Sequence, residues 1–176
     1  MSGPTGLGIW VAFGAMLPGG YEKLIDDCEE IGVNWIAPRA GQRSRNGWPT
    51  KQGIELCKRA EKANVKIIPW LYDVPDFLDM GAEYYGQMLS EGCAGVVLNS
   101  EDPWVSHGDP ARERLMKANA RLYMDKIRKR CGDEAWIAHA PYTYVYWHQD
   151  FPYVEFGDRC NAVMDQLYWS EFNNAG

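Results

Sequence analysis

The chain has 176 residues and a mass of 20.0 kDa, with 46% hydrophobic and 24% charged residues. These are the values of one ordinary globular domain, not of a disordered or collagen-like chain. Its 24 acidic and 18 basic residues give a net charge of −6, which argues against a nucleic-acid binder, since that needs a basic face, and against attachment to anionic lipid.

Gly8–Phe13 is a short apolar run and is predicted as a strand. Tyr21–Ile31 follows as an amphipathic helix with Leu24, Ile25, Cys28 and Ile31 on one face, stopped by Gly32. Val33–Pro38 is a second strand, and Arg39–Pro49 is predicted as a polar loop. Thr50 can cap a helix over Lys51–Asn64. Val65–Tyr72 is a third strand, and a helix from Pro75 or Asp76 runs to about Glu91. Ala94–Leu98 is a fourth strand, and Asn99–Asp109 is a loop. Asp109 caps a long helix, Pro110–Cys131, with proline at its first position and Gly132 behind it. Ala135–Ala138 starts a fifth strand, Pro141–Gly157 is an aromatic loop with room for a short helix, and Ala162–Trp169 is a sixth strand.

Short strands, apolar in both phases and alternating with helices, imply an α/β fold with a parallel sheet. An open doubly wound sheet and a parallel (β/α) barrel of TIM type both fit. The first strand–helix turn, Gly14–Gly20, is not a Gly-x-Gly-x-x-Gly loop, and no Gly-x-x-x-x-Gly-Lys-[Ser/Thr] occurs, so a nucleotide fold loses its main support. The expectation is a single, incomplete TIM-type barrel over residues 1–176, about six strands where a full barrel of roughly 250 residues has eight.

Five cysteines at 28, 57, 93, 131 and 160 form no Cys-x-x-Cys. They are read as buried reduced thiols. The three histidines are far apart in sequence, and neither a metal nor a cofactor is expected. The N-terminus lacks a basic region and an apolar run of signal-peptide length, and no stretch reaches the roughly 18 apolar residues of a transmembrane helix. The protein is therefore expected to be made in the cytoplasm, away from membranes, and to be virion-associated or released by lysis.

In a parallel barrel all strand ends open on one face, which gathers Arg39, Trp70, Tyr72, Asp73, Asn99, Glu101, Asp102, His139, Tyr142, Asp165, Gln166, Tyr168 and Trp169. Trp and Tyr, which number 8 and 10, are the side chains that present an apolar body and a polar tip to a ligand. Strand alternation puts Asn99 and Glu101 on one side, in the mouth. A carboxylic acid among apolar neighbours, such as Trp104, keeps its proton to higher pH, as a general acid must. The second group needed for glycoside hydrolysis could be a carboxylate (Asp102, Asp73 or Asp165) or the acetamido group of the substrate. Glu101-Asp102-Pro103 is equally consistent with a turn capped by acids. Gln166 and Tyr168 share one phase of the sixth strand and can hydrogen-bond a sugar hydroxyl or acetamido group; alternatively the strand aromatics pack on helices. Arg39 suits a carboxylate, such as that of a muramyl group, or a surface ion pair. The run Tyr142–His148 alternates aromatics that could stack on sugars or cover the helix ring.

A strand-four end of the form Asp-x-Glu, with a strand-six Met-x-x-x-Tyr or Gln-x-Tyr-Trp pattern (Met164, Gln166, Tyr168 and Trp169), resembles the barrel glycosidases: family 25 lysozymes, the family 18 chitinase and endo-N-acetylglucosaminidase group, and glycosidase-like barrels of bacteriophage lysins and tail proteins. The resemblance implies that Glu101 is the catalytic acid and that Gln166 and Tyr168 contact sugar. The first position of Asp-x-Glu is Asn99 here. Asn can orient an acetamido group but cannot share a proton, so either Asp102 compensates or activity is weak or absent. The expected function is hydrolysis of an N-acetylated β-1,4 glycan such as peptidoglycan or chitin. The alternative is a non-catalytic carbohydrate-binding or structural fragment, for example of a phage particle. A six-stranded sheet leaves two edges, which self-association or a partner chain could complete.

Overall fold

The computed structural model describes residues 3–12, 17–42, 45–46, 50–142 and 145–164. Its elements are β1 (Gly8–Val11), α1 (Gly20–Ile31), β2 (Trp35–Gln42), β3 (Arg45–Asn46), α2 (Thr50–Lys62), β4 (Lys66–Ile67), β5 (Trp70–Asp73), α3 (Leu78–Ser90), β6 (Val96–Ser100), α4 (Pro110–Cys131), β7 (Ile137–Pro141), α5 (Tyr153–Gly157) and β8 (Ala162–Val163). Short 3-10 turns stand at Pro75–Phe77 and Asp102–Trp104.

The sheet order is β1-β2-β5-β6-β7-β8, all parallel. Each strand lies beside its predecessor, with no point where the order reverses, and this sets aside the doubly wound alternative. The six-stranded parallel sheet curls into a half-barrel. The pieces β4 and β5 are two halves of the predicted third strand. Pro69 between them has no N–H to give the ladder, yet the strand continues: the Ile68 N–H donates to Ile36 O at 3.0 Å, and Pro69 O accepts from the Val97 N–H at 2.9 Å.

Two departures from the sequence expectations bear on the site. β2 runs to Gln42, through residues predicted as loop, because β5 pairs with them: Arg39 faces Trp70 and Gly41 faces Leu71, with Ala40 bulged between. β6 and β7 run past their predicted ends, to Ser100 and Pro141, so Asn99 belongs to the strand and not to the loop. The α4 helix matches its prediction; the Asp109 carboxylate accepts from the N–H groups of Ala111 and Arg112 at 2.8 and 3.3 Å.

The two faces of the sheet carry separate cores. The convex face, with Val11, Ile36, Ile67, Leu71, Leu98 and Ile137, packs against the helices through Ile25, Ala60, Met88 and Met124 among others. The concave face holds a second cluster of Ala37, Ile68, Trp70, Val97, Trp136, Ala138 and Ala140, to which no helix contributes among the described residues. All helices on one face is what consecutive right-handed crossovers produce.

One carboxyl is buried in the helix-side core. Asp73, the last residue of β5, accepts hydrogen bonds from the hydroxyls of Tyr85 on α3 (2.6 Å) and Tyr123 on α4, and its environment includes the backbone N–H of Asn99. Gly81 on α3 makes the second bond possible: a Cβ there would lie 2.0 Å from the Tyr123 hydroxyl oxygen. Burial pushes the Asp73 carboxyl up to about 7, against the downward pull of those hydrogen bonds. The Tyr85 hydroxyl also lies 3.1 Å from Val97 O. With Asp73 protonated, its O–H can donate to Tyr85 and Tyr85 to Val97, so every polar group is satisfied.

Between about pH 4 and 7 the folded chain therefore keeps a proton that the unfolded chain has lost. The contribution of Asp73 to stability falls as pH rises through that window and is level above it. Asp73→Asn, a neutral isostere able to make the same contacts, is expected to remove this slope. Relative to wild type it gains up to about 4 kcal/mol between pH 4 and pH 8, measured by urea unfolding at both pH values. A parallel pair of curves would refute the assignment.

Candidate functional site

Among the described residues, chemistry-bearing side chains converge on the concave side of the strand C-terminal ends. Period two decides its membership. On β5, Trp70 and Tyr72 point to the concave cluster. On β6, Asn99 stands in register with Tyr72 and with Ala140 of β7. Asn99 is buried, Glu101 is half-buried, and the Asn99 Nδ2 donates to Glu101 Oε1 at 2.9 Å. The expected sharing of one side by Asn99 and Glu101 is thus realised as a direct contact.

Beside this pair lies an aromatic wall. The half-buried Arg39 guanidinium sits over the Trp70 ring, 5.2 Å from its centre. Trp70 in turn lies 5.8 Å from Trp10 of β1, centroid to centroid, and Trp10 is 38% exposed. Sequence reasoning passed over Trp10. Its signal was the alternation Gly8, Trp10 within β1, which turns both away from the helix-facing Ile9 and Val11. The opposite wall is small: Ala138 and Ala140 on β7.

Three of the proposed site residues lie elsewhere. Asp73 follows Tyr72 by one residue, so it points to the helices and is buried there. Trp104 is fully buried; its ring packs on Tyr123 and Phe156, and its Nε1–H donates to the Asp73 carbonyl at 3.0 Å. Tyr142 packs against the helix-side core, and its carbonyl accepts from the Tyr153 hydroxyl at 2.9 Å. Asp102 is exposed, with its carboxylate 3.6 Å from His107 Nε2. His139 faces the helix side between Phe151 and Phe156, and burial pushes its imidazole down to about 3, so it is neutral. The aromatic run after β7 divides: Tyr142 is half-buried, whereas Tyr146 and Trp147 are 81% and 68% exposed. Asp165, Gln166, Tyr168 and Trp169 lie outside the described residues.

Among the described residues no group of three or more His, Cys, Asp or Glu side chains is placed to hold a metal, and no helix is long and apolar enough to cross a membrane. A groove of about 310 Å³ between α3 and α4, lined by Asp79, Ala82, Lys126, Lys129 and Arg130, lies on the helix side. Its cations Lys126 and Arg130 are paired with Asp79 and Glu83, so it is distinct from the concave site. Neither the protein-family models nor the curated proteins compared with the chain give a match.

Trp104 is thereby assigned to stability. Trp104→Phe, which keeps the ring but removes the donor to the Asp73 carbonyl, is expected to lower the unfolding free energy by about 1–3 kcal/mol in urea denaturation. An unchanged midpoint would show that this indole hydrogen bond contributes nothing.

Proposed function

We propose that the concave face binds an N-acetylated β-1,4 glycan, such as peptidoglycan or chitin, and hydrolyses it with Glu101 as general acid. The Asn99–Glu101 contact carries this assignment. An amide donating to one carboxyl oxygen makes that oxygen the carbonyl-like one and leaves the other to hold the transferable proton. The acid is thus oriented, not merely present. Trp10, which is exposed, and the half-buried Tyr72 supply ring faces for sugar, the buried Trp70 backs Trp10, and Arg39 supplies a planar cation for a carboxylate such as that of a muramyl group. The proposal includes the finer fold expectation, a barrel of TIM type of which these six strands are a part.

In the proposed step Glu101 gives its proton to the glycosidic oxygen as the bond to the anomeric carbon breaks. Asp73 faces the helices, and Asp102 is exposed beside His107. Among the described residues neither of these carboxylates stands beside Glu101, so the partner group is either Asp165, which lies outside them, or the acetamido oxygen of the substrate, which closes on the anomeric carbon before water opens the ring so formed. The placement of those two carboxylates also favours a second reading, a glycan-binding module or structural part of a phage particle with no turnover.

Glu101→Gln separates the two. Under the enzymatic reading, wild type releases reducing ends from chitin oligomers or cell walls. The variant loses about 10²–10⁴-fold in rate while still binding oligomer in calorimetry. Wild-type binding without release of reducing ends would favour the second reading, and no binding by either protein would refute both.

A further inference from the structure

α2 and the turn leading into β6 each bring one cysteine to the same buried point. Cys57 lies on the inward face of α2 with Ala60 and is 8% exposed; Cys93 is 5% exposed. The turn after α3 sets the position of Cys93. The Gly92 N–H donates to Leu89 O and the Cys93 N–H to Met88 O, at 3.1 and 3.2 Å. Gly92 takes φ +101°, and a Cβ there would come 3.6 Å from the Cys57 Cβ. The glycine thus allows the left-handed turn, and the 3.6 Å spacing puts that turn in ordinary van der Waals range of α2. The two sulfurs lie 3.6 Å apart in a thiol–thiol hydrogen bond, against about 2.05 Å in a disulfide.

The pair is chemically unequal. The hydrogen bond with Cys93 draws the Cys57 thiol down, against burial and the charge of Glu91. Cys93 is held up by the same bond, by burial and by the charge of Glu91. Burial also raises Cys28, Cys131 and Cys160. Of the five thiols, only Cys57 is moved toward the nucleophilic thiolate.

We infer that Cys57 and Cys93 form a dithiol site that a hydroperoxide closes into a disulfide. The Cys57 thiolate attacks one peroxide oxygen, and the O–O bond breaks. The other oxygen leaves with a proton as water or alcohol, and Cys57 becomes a sulfenic acid. The Cys93 sulfur then attacks the Cys57 sulfur. The S–O bond breaks, and hydroxide leaves with the Cys93 proton as water. The two thiols lose two electrons and two protons, and the hydroperoxide takes up both. The new bond joins α2 to the segment that opens β6, the strand of Asn99. This inference does not depend on the glycan reading.

The test treats the reduced, folded protein with graded hydrogen peroxide, then alkylates it and maps the peptides without reduction. The expected result is a Cys57–Cys93 linked peptide, loss of two of the five alkylatable thiols, and reversal by dithiothreitol. The oxidised form should also melt about 5–10 °C higher. Cys93→Ser should stop at a Cys57 sulfenic acid that dimedone traps, Cys57→Ser should give no such adduct, and Cys131→Ser/Cys160→Ser should close as wild type does. The wild-type map alone is decisive if a variant misfolds. The inference is overturned if other thiols oxidise first, if a different pair links, or if the bond forms only in denaturant.

Discussion

The carboxyl of Asp73 is where the strands and helices are fixed to one another. Tyr85 reaches it from α3 and Tyr123 from α4, the Asn99 backbone adjoins it from β6, and the Trp104 indole holds the carbonyl of the same residue. A buried polar group left without a partner costs about 1–3 kcal/mol, so none of these elements can slide without a penalty. The cluster draws α3 and α4 together closely enough that Gly81 has no room for a side chain beside Tyr123. It also locks β5 against β6 at the ends where Tyr72 and Asn99 emerge on the other face.

Successive residues of the same two strands therefore do different work. Tyr72 and Asn99 face the concave side, while Asp73 faces the helices; Ser100, next after Asn99, is likewise fully buried. Fixing one face positions the other. The hydrogen bond from Asn99 to Glu101 inherits its geometry from a strand whose register is set in part by a carboxyl on the opposite side of the sheet.

Much of this was legible in the sequence, wherever the signal was local. The capped, proline-started α4 and the strand–helix alternation rest on neighbouring residues, and the Asn99–Glu101 pairing follows from period two. The misplacements share a cause. Proximity to a strand end gives depth along the barrel, but phase decides the face, and Asp73 is one residue out of phase with Tyr72. Trp104 lies in a 3-10 turn, where strand alternation no longer applies. Tyr85 and Tyr123 are 12 and 50 residues from Asp73, a separation at which no local pattern announces a contact. The extension of β2 through Gly41 was hidden for the same reason: its pairing with Leu71 is non-local.

The division of the sheet by phase also bears on how such a fold can carry a site. On the helix side, substitution is constrained by packing and by the satisfied polar cluster. Among the described residues the concave cluster receives no helix and mixes large rings on β1 and β5 with alanines on β7. A face whose side chains do not hold the helices can vary in chemistry at little expense to the fold. Arg39 illustrates this: stacked on Trp70, its guanidinium is held by a contact within the concave wall. Replacing it would disturb the concave wall more than the packing of the helices. Strand phase thus separates the concave face from the helix-side core within stretches only a few residues long.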